Sequence, residues 1–245
     1  MKIVTVIGAR PQFIKAAAVS RAIAEYNAVA QDQNPTIHEV IIHTGQHFDE
    51  NMSDIFFDEM QIPRPDYHLE INSLGHGAMT GRMLEKIEEV LIKEQPDWVL
   101  VYGDTNSTLA GALAAKKLHI KVAHVEAGLR SYNMAMPEEI NRILTDRISD
   151  LLFCPTDTAV KNLEREGFGT FPCCIIKSGD VMQDAALFYR ETAARKSDII
   201  SRLNLSAKPF ALCTIHRAEN TDAPERLATI VDALNSITGE MDVIL

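Results

Sequence analysis

Residues 2–15 read KIVTVIGARPQFIK, a short apolar run that ends in a glycine and passes directly into a helical pattern. The run IVTVI at 3–7 places apolar side chains on both faces of a strand, and WVLVY at 98–102 does the same. Strands that are apolar on both faces are typical of parallel sheets, in which helices cover each side. The two runs therefore predict a parallel sheet within an α/β domain.

Strand-like and helix-like segments alternate through the N-terminal part of the chain. The predicted strands are Lys2–Ile7, His38–His43, Trp98–Tyr102, Val122–Val125, Leu151–Cys154 and Cys174–Lys177. The predicted helices are Pro11–Ala28, Ala78–Lys93, Thr108–Leu118, Pro137–Ser149 and Thr156–Glu166. Repeated alternation of this kind is typical of a doubly wound, Rossmann-like sheet, and we expect this domain to span residues 1–180.

A second pattern begins after residue 180. Val181–Leu203 predicts one long helix, so residues 181–205 are expected to connect two domains. The segments that follow predict a strand, a helix and a further strand, at Pro209–Cys213, Pro224–Ile237 and 242–245. Residues 206–245 therefore predict the opening β-α-β unit of a second Rossmann-like, nucleotide-binding domain. Because one such unit cannot close a core, we expect this second domain to be incomplete.

The composition is that of an acidic globular protein. The 245 residues include 24 Lys and Arg against 34 Asp and Glu, for a formal net charge of −10. Such a surface repels phosphate backbones and anionic lipid, so we expect neither a nucleic-acid nor a membrane partner. No apolar run approaches the roughly 20 residues of a spanning helix. With no C-x-x-C spacing and no signal peptide, the four cysteines fit a cytoplasmic location.

Polar loops follow the predicted strands, at the edge where open α/β sheets bind ligands. They are 8–11, 44–47, 103–107, 126–130, 178–180 and 216–220. A solvated rim would also be polar, but here glycine recurs beside the charges, which lets a backbone approach a ligand closely. The chain has no G-x-G-x-x-G after its first strand, no G-x-x-x-x-G-K-[ST], no H-E-x-x-H and no G-x-S-x-G. A nicotinamide or flavin site is therefore disfavoured, as are a P-loop and these two hydrolase motifs.

The first of these loops suits an anion. Pro11 fits the start of a helix, whose amino end carries partial positive charge, and Gly8 allows a tight turn before it. Arg10 and Lys15 add full charges beside that end, although a plain strand-to-helix turn is the alternative. The loop HRAEN at 216–220 is a second candidate, since its histidine and arginine could serve a diphosphate; a capping or surface histidine is the alternative.

Three carboxylates, those of Asp104, Glu126 and Glu138, are candidates for acid–base chemistry. Asp104 and Glu126 end consecutive predicted strands and should be neighbours. Glu138 and Glu139 follow Pro137 in the first turn of a predicted helix. Acidic residues at that position also stabilise the helix dipole, and we favour this role for Glu139.

The histidines of the first domain favour structural roles. His43 and His47 are four residues apart, but Gly45 lies between them at a strand end, so a polar loop is favoured over a metal site. We expect His124 to be a strand residue with a satisfied hydrogen bond.

Eight segments are long and specific enough to be compared with known families. They are GARPQFIK at 8–15, HTGQHFDENM at 43–52, VYGDTNSTLAGALAA at 101–115, HVEAGLRS at 124–131, MPEEINRILTD at 136–146, FCPT at 153–156, SGDVMQDA at 178–185 and TIHRAEN at 214–220. In this order they resemble the non-hydrolysing UDP-N-acetylglucosamine 2-epimerase family. The resemblance extends over the whole chain.

The resemblance implies a two-domain fold of the glycosyltransferase-B type, with the nucleotide sugar held between the domains. It also implies a homodimer that needs neither NAD nor a metal ion. The catalytic groups that it implies are Asp104, Glu126, Glu138 and His216. The residues that it implies for binding UDP or the rest of the substrate are Arg10, Lys15, Gln46, Arg130, Asp180, Arg217, Glu219 and Asn220.

The reaction that the resemblance implies interconverts UDP-N-acetylglucosamine and UDP-N-acetylmannosamine for bacterial surface polysaccharides. UDP leaves C1, a carboxylate takes the C2 proton to give a 2-acetamidoglucal, and UDP adds back after protonation from the other face. RSYNMAMPEEINR at 130–142 and GDVMQDA at 179–185 also resemble the branch that acts on UDP-2,3-diacetamido-2,3-dideoxyglucuronic acid. The alternatives are a glycosyltransferase of the same architecture and a non-catalytic nucleotide-sugar binder. An incomplete second domain would predict weak nucleotide binding.

Overall fold

A computed structural model of the protein describes residues 1–30, 35–46, 63–205, 209–215 and 218–245, with the backbone alone for Ala218 and Glu219. The chain divides into two compact units, Met1–Tyr189 and Arg190–Leu245.

The first unit is built on a seven-stranded sheet. Its strands are β1 (Lys2–Ile7), β2 (His38–His43), β3 (Tyr67–His68), β4 (Trp98–Tyr102), β5 (Lys121–Val125), β6 (Leu151–Cys154) and β7 (Cys174–Lys177). They pair in parallel in the order β3-β2-β1-β4-β5-β6-β7. Because the direction of strand succession reverses between β1 and β4, the carboxyl ends of these two strands form a topological switch point.

Helices pack on both faces of this sheet. They are α1 (Arg10–Val29), α2 (His76–Glu94), α3 (Asn106–Lys117), α4 (Pro137–Ile148), α5 (Asp157–Arg165) and α6 (Val181–Lys196), with a 3₁₀ turn at Phe168–Thr170. Val4 in β1 belongs to a buried cluster with Met83 of α2, while Ile7 of the same strand belongs to a second cluster with Phe13 of α1. One strand is therefore covered on each side, and the predicted doubly wound parallel sheet is confirmed.

The predicted helix over 181–203 is interrupted in the structure. It ends at Lys196 and is followed by a separate turn, α7 (Ile199–Arg202). Asp198 between them has φ of −102° and ψ of 5°, and the hydroxyl of Ser197 accepts a hydrogen bond from the backbone of Ile199 at 3.4 Å. Short polar side chains compete in this way with the helical backbone bonds, so the prediction of one continuous helix is wrong.

The second unit contains a small parallel pair of strands. Its elements after α7 are β8 (Phe210–Leu212), α8 (Ala218–Thr221), α9 (Pro224–Ile237) and β9 (Asp242–Ile244). β8 and β9 pair in parallel from Phe210 with Asp242 to Leu212 with Ile244. The predicted β-α-β unit is confirmed, and α9 has the predicted bounds.

Candidate active site

The side chain of Gln12 joins the ends of β1 and β4 at the switch point. Its Oε1 accepts from the backbone N–H groups of Gly8 at 2.9 Å and Ala9 at 3.0 Å. Its Nε2 donates to the carbonyl of Tyr102 at 2.9 Å and to the hydroxyl of Thr108 at 3.0 Å. Gln12 is only 1% exposed, so this buried amide uses both of its ends to fix the two strand ends together.

The loops after β1, β2 and β4 touch one another at Gly8. A Cβ at Gly8 would overlap the hydroxyl oxygens of Thr44 and Ser107, so only glycine fits this position. Those two hydroxyls are 2.8 Å apart, and Oε1 of Gln46 accepts from the backbone N–H of Ser107 at 3.1 Å and from its hydroxyl at 2.8 Å. Gly8 is therefore required for a close approach, a stricter constraint than the tight turn expected from the sequence.

Lys15 of α1 forms an ion pair with Glu126, the first residue after β5. The side chains are 9% and 23% exposed. Gly103, after β4, lies against this pair: a Cβ there would be 3.1 Å from Nζ of Lys15 and 3.4 Å from Oε2 of Glu126. Gly103 has a φ of +64°, so its conformation and its neighbours both favour glycine. Glu126 has a φ of +75°, a strained conformation for a non-glycine residue and one common at functional sites.

Asp104 is held from α4. Its Oδ2 accepts a charge-assisted hydrogen bond from Nη2 of Arg142, whose Nη1 donates to Oε2 of Glu139 at 2.6 Å. The Asp104 side chain is 34% exposed, whereas that of Glu139 is 1% exposed. Arg142 thus joins one carboxylate that faces solvent to another that is buried.

Glu139 anchors the loop that precedes α4. Its carboxylate accepts from the backbone and hydroxyl of Ser131, both at 2.9 Å, and from the backbone of Tyr132 at 2.9 Å. Burial raises the pKa of Glu139, but these hydrogen bonds and the charge of Arg142 outweigh it and hold the pKa below its ordinary value. Glu139 is therefore an ionised anchor for the loop, a role more specific than the expected helix-dipole one.

A directed chain of amides leads from Asp104 to His76. Nδ2 of Asn141 donates to the carbonyl of Asp104 at 2.9 Å and to Oδ1 of Asn106 at 3.3 Å. Since a carbonyl can only accept, this orients both amides, and Nδ2 of Asn106 then donates to Nδ1 of His76 at 3.3 Å. In the neutral ring the remaining proton is on Nε2 of His76, which makes that nitrogen a donor.

A cavity of about 150 Å³ opens at this edge of the sheet. Its lining residues are Ala9, Pro11, Gln46, His76, Asp104, Thr105, Asn106, Pro137, Glu138 and Asn141. These include the first residues, or the residues just before them, of α1, α2, α3 and α4. Four helix amino ends, each carrying partial positive charge, thus converge on a cavity that also holds two carboxylates.

Beneath this edge, ionic side chains form a second and deeper network. His124 of β5 bonds the carbonyl of Gly103 through Nε2 and Oδ1 of Asp146 through Nδ1, each at 2.7 Å. Oδ2 of Asp146 accepts from Nη1 of Arg130 at 2.7 Å, and Arg130 also makes two bonds to Glu166 at 2.7 and 2.8 Å. The side chains of His124 and Asp146 are 0% exposed and that of Arg130 is 1% exposed.

The arrangement fits proton exchange next to a bound anion. Helix amino ends and the cations Arg10 and Lys15 favour a phosphate or diphosphate. Asp104 and Glu138 line the same cavity and could exchange a proton with a ligand in it. A larger cavity of about 520 Å³, near Ile3, Trp98 and Val181, is lined by apolar side chains and Ser178, so it offers no acid–base group.

Comparison with known proteins identifies the family of this chain. A sequence model described as UDP-N-acetylglucosamine 2-epimerase matches residues 29–245. The chain belongs to this family. UDP-2,3-diacetamido-2,3-dideoxy-D-glucuronate 2-epimerase of Pseudomonas aeruginosa is 60% identical to the chain over 237 residues, which are 97% of this chain and 63% of that relative. UDP-N-acetylglucosamine 2-epimerase of Methanocaldococcus jannaschii is 46% identical over 239 residues, 97% of this chain and 62% of that protein.

Solved structures of the 2-epimerase family have the same fold. The M. jannaschii UDP-GlcNAc 2-epimerase in complex with UDP-GlcNAc and UDP matches with a TM-score of 0.86 at 45% identity, over 99% of this chain and 65% of that chain. The enzyme of Neisseria meningitidis bound to UDP-GlcNAc matches with a TM-score of 0.82 at 31% identity, over 98% of this chain and 63% of that one. This chain thus spans less than two thirds of the length of these 2-epimerases.

The structure brings several predicted residues of the 2-epimerase site to the same strand ends. Asp104, Glu138 and Gln46 line the cavity, and Lys15 and Glu126 form the adjacent ion pair. Arg10 is exposed at the amino end of α1, whose neighbours Ala9 and Pro11 line the cavity.

Other predicted residues lie elsewhere or outside the described part of the chain. The guanidinium of Arg130 makes four hydrogen bonds, to Asp146, Glu166 and the carbonyl of Leu129, in the deeper network. Asp180 is exposed, and its carboxylate caps the start of α6 by accepting from the backbone of Met182 at 2.8 Å. Asn220 lines a cavity within the second unit. The structure does not describe His216, Arg217 and the side chain of Glu219.

The two histidines considered for a metal have different outcomes. His43 ends β2 and is 4% exposed, stacked on Phe13 with ring centroids 5.0 Å apart. Burial, with a smaller contribution from the charge of His68, lowers the pKa of His43 to about 4, so the ring is neutral near pH 7. His47 lies outside the described residues. In the part of the chain that the structure covers, no group of three or more His, Cys, Asp or Glu could hold a metal ion.

Four site residues are absent from the sequence-based prediction: Gln12, His76, Asn141 and Arg142. Arg142 and Asn141 lie in the quoted segment MPEEINRILTD, and Arg142 is three positions after Glu139, on the same side of α4. That spacing could have indicated the pair with Glu139, whereas the contact with Asp104 spans 38 positions and leaves no local pattern.

Among the described residues, no helix has the length and apolarity to cross a bilayer.

Proposed function

We propose that this chain acts as a UDP-2-acetamido-sugar 2-epimerase, interconverting UDP-N-acetylglucosamine and UDP-N-acetylmannosamine. One observation carries the proposal: four helix amino ends converge on a cavity that is lined by the carboxylates of Asp104 and Glu138. The helix ends favour the diphosphate, and the carboxylates supply proton exchange beside it. Membership of the 2-epimerase family supports this interpretation over a glycosyltransferase or a binder without activity.

The chemistry requires such a combination of groups. The C2 hydrogen of the sugar has no adjacent carbonyl, so its direct removal is very unfavourable. In an elimination, the C2–H electron pair forms the C1–C2 double bond while the C1–O bond breaks, and UDP leaves with the electron pair of that C1–O bond. The proton passes to a carboxylate. In the return step the 2-acetamidoglucal takes a proton on the opposite face of C2 while an oxygen of UDP re-forms the bond to C1. Two faces require more than one acid–base group, and electrostatic stabilisation of the departing diphosphate lowers the barrier.

The proposed roles follow the positions of the side chains. Asp104, Glu126 and Glu138 are the proposed acid–base groups, and Arg10 and Lys15 the proposed cations for UDP. His216 is proposed, from the family motif, as a further catalytic group. Gln46 is proposed as a substrate contact because it lines the cavity. Of the remaining predicted contacts, Arg217, Glu219 and Asn220 are proposed from the motif alone.

A second candidate substrate is UDP-2,3-diacetamido-2,3-dideoxyglucuronic acid. The observation that favours it is the 60% identity to the P. aeruginosa relative named for that substrate, against 46% to the M. jannaschii UDP-N-acetylglucosamine 2-epimerase. Both substrates have an acetamido group at C2, so the same elimination applies to each.

Proton NMR in deuterated water tests the activity and the substrate together. Each UDP-sugar is incubated separately, and deuterium at C2 with a new anomeric signal of the manno type is the expected result for the true substrate. Because the chain spans 63% of the P. aeruginosa relative, the assay is repeated on a hybrid in which the chain replaces the matching part of that protein. A hybrid that binds a UDP-sugar but exchanges no deuterium would contradict the proposal.

Matched aspartate variants locate the chemistry. Asp104→Asn is expected to lower the exchange rate at least about a hundredfold, the usual scale for a lost acid–base group. Asp157→Asn is the control, since Asp157 also pairs with a cation, Lys177 at 2.8 Å, but with a side chain that is 71% exposed. Equal rates in the two variants would exclude Asp104 from the reaction.

We also propose that the protein works as a homodimer in the cytoplasm and needs neither NAD nor a metal ion, as the resemblance implies. Sedimentation equilibrium of the purified protein tests the dimer, and a mass of one chain at all concentrations would contradict it.

A further inference from the structure

His124 is surrounded by groups that can only accept hydrogen bonds. Its Nε2 lies 2.7 Å from the carbonyl oxygen of Gly103, and its Nδ1 lies 2.7 Å from Oδ1 of Asp146. The other oxygen of Asp146 accepts from the backbone of Gly128 at 3.1 Å and from Arg130 at 2.7 Å, and the charge of this arginine favours the ionised carboxylate, which can only accept. With an acceptor at each ring nitrogen, both nitrogens of His124 must carry a proton.

The charges of this buried network balance when His124 is an imidazolium. Arg130 and His124 are then the two cations, and Asp146 and Glu166 are the two anions. His124, Asp146 and Arg130 are buried, and buried charges are tolerated only when they are paired and hydrogen-bonded, as these three are; the side chain of Glu166 is 28% exposed. Cys154, the neighbouring thiol, stays neutral because burial raises its pKa to about 12.

The ring of His124 is connected to the candidate active site by its hydrogen bond to the carbonyl of Gly103. Gly103 has its N–H bonded to the carbonyl of Val125 at 3.0 Å and its own carbonyl bonded to His124, so β5 holds it on both sides. The next residue, Asp104, lines the cavity. On the other side of Gly103 lies the pair of Lys15 and Glu126.

We propose that His124 is a doubly protonated positioning residue that fixes the Gly103–Asp104 turn for catalysis. His124 is fully buried and does not line the cavity, so it would act on a ligand there only through that turn. The catalytic half of this proposal rests on the proposed 2-epimerase function. Its protonation half rests on hydrogen-bond geometry and is tested without activity.

The first experiment measures protonation in the full chain. With ¹⁵N-labelled histidine at about pH 8, where an ordinary exposed histidine is neutral, both ring nitrogens of His124 are expected to show a bonded proton. Exposed His119 is the internal reference, and His124→Gln assigns the signals. A neutral ring, with a proton on one nitrogen only, overturns the proposal.

The second experiment separates the two bonds of the imidazolium. The amide of His124→Gln can donate from the position of Nε2 and so retain the bond to Gly103, whereas that of His124→Asn can donate from the position of Nδ1 and retain the bond to Asp146. The backbone amide signals of Gly103 and Asp104 are expected to move in the asparagine variant and to stay near wild type in the glutamine variant. Equal movement in both variants, or none in either, overturns the positioning role.

Turnover gives the functional measurement. In the hybrid enzyme, His124→Asn is expected to lower kcat by at least about tenfold with little change in KM, since a misplaced catalytic group costs rate. His124→Gln is expected to keep most of kcat, although both variants lose stability. Equal kcat losses would indicate a merely structural histidine. If wild type shows no exchange, the proposed function fails, while the two NMR experiments still decide the protonation and the positioning.

Discussion

Arg142 and Arg130 make similar ion pairs in very different surroundings. Arg130 is 1% exposed and divides its guanidinium between Asp146, which is fully buried, and Glu166. Arg142 is 13% exposed and joins buried Glu139 to Asp104, whose side chain is 34% exposed. Both networks include residues of α4. We call the set of His124, Asp146, Arg130 and Glu166 the closed network. The set of Glu139, Arg142 and Asp104 is the open network.

The difference in exposure suggests different roles for the two networks, one structural and one at the proposed site. In the closed network the buried side chains of His124, Asp146 and Arg130 are paired with one another, so their geometry is fixed and solvent does not reach them. In the open network the same kind of pairing ends on a carboxylate that faces a cavity. Asp104 thus has a fixed position and one side that faces the cavity, as the proposed acid–base role requires.

The largest expected loss of stability comes from removing the arginine of the closed network. Arg130→Met leaves buried Asp146 without its arginine partner and should lower the free energy of unfolding by about 3–5 kcal/mol. Arg142→Met leaves a partly solvated site and should cost about 1–3 kcal/mol. Urea unfolding followed by circular dichroism measures both. Lys86→Met, which breaks the exposed pair with Glu89, is the control and should leave the midpoint unchanged. Equal losses for the two arginine variants would remove the distinction between the networks.

A smaller effect is expected from the anchor of the open network, and it depends on pH. Glu139→Gln removes a carboxylate that accepts four hydrogen bonds, from the backbone and hydroxyl of Ser131, the backbone of Tyr132 and the side chain of Arg142, and should cost about 1–3 kcal/mol at pH 7. Because the pKa of Glu139 is lowered in the folded state, its contribution is complete above the ordinary value of 4.5 and is lost as the pH falls through the lowered pKa. The stabilities of wild type and variant should therefore converge in acid.

Urea titrations at several pH values between about 3 and 7 test this dependence. Glu138→Gln is the matched control, since this neighbouring carboxylate is exposed and should leave the stability curve in place. A constant gap between wild type and Glu139→Gln across the whole pH range would show that the charge of Glu139 contributes nothing.

The smallest expected loss of stability lies at Gly103, whose carbonyl bonds His124 of the closed network and whose neighbour Asp104 lines the cavity. Alanine at a positive φ costs about 1–2 kcal/mol, and Gly103→Ala would also crowd Lys15 and Glu126. Gly167→Ala is the control, because Gly167 has a φ of +81° but nothing within 4 Å of a new Cβ. Both variants should lose similar stability, and only Gly103→Ala should lose exchange activity in the hybrid. Equal activities would mean that the Lys15–Glu126 pair adapts freely.

The sequence predicts the sheet well because its strands are continuous apolar runs with abrupt polar ends. Strands β1, β2, β4, β6 and β7 have the predicted bounds. The two-residue strand β3 was missed, since Tyr67–His68 has no such run and is held by its pairing with β2. The break after Lys196 was also missed, because a serine and an aspartate interrupt an otherwise helical pattern.

The site is predictable only where chemistry coincides with a strand end or a helix start. Asp104 and Glu138 satisfy that condition, and the structure places both on one cavity. Arg130 also follows a strand, so its sequence position indicates a ligand contact. Its partners Asp146 and Glu166 lie 16 and 36 positions further along, where no local pattern reveals that they occupy the guanidinium.

The buried amide of Gln12 has a consequence for how the protein is made. It connects α1 to residues that lie 90 and 96 positions later in the chain, at Tyr102 and Thr108. Contacts of such long range form slowly and only after the intervening chain has been synthesised. The amino end of α1 therefore lacks these contacts during the first part of translation. Helix α4 must also be synthesised before Asp104 can pair with Arg142, so the edge that carries the proposed site forms late, after much of the sheet beneath it can already pair.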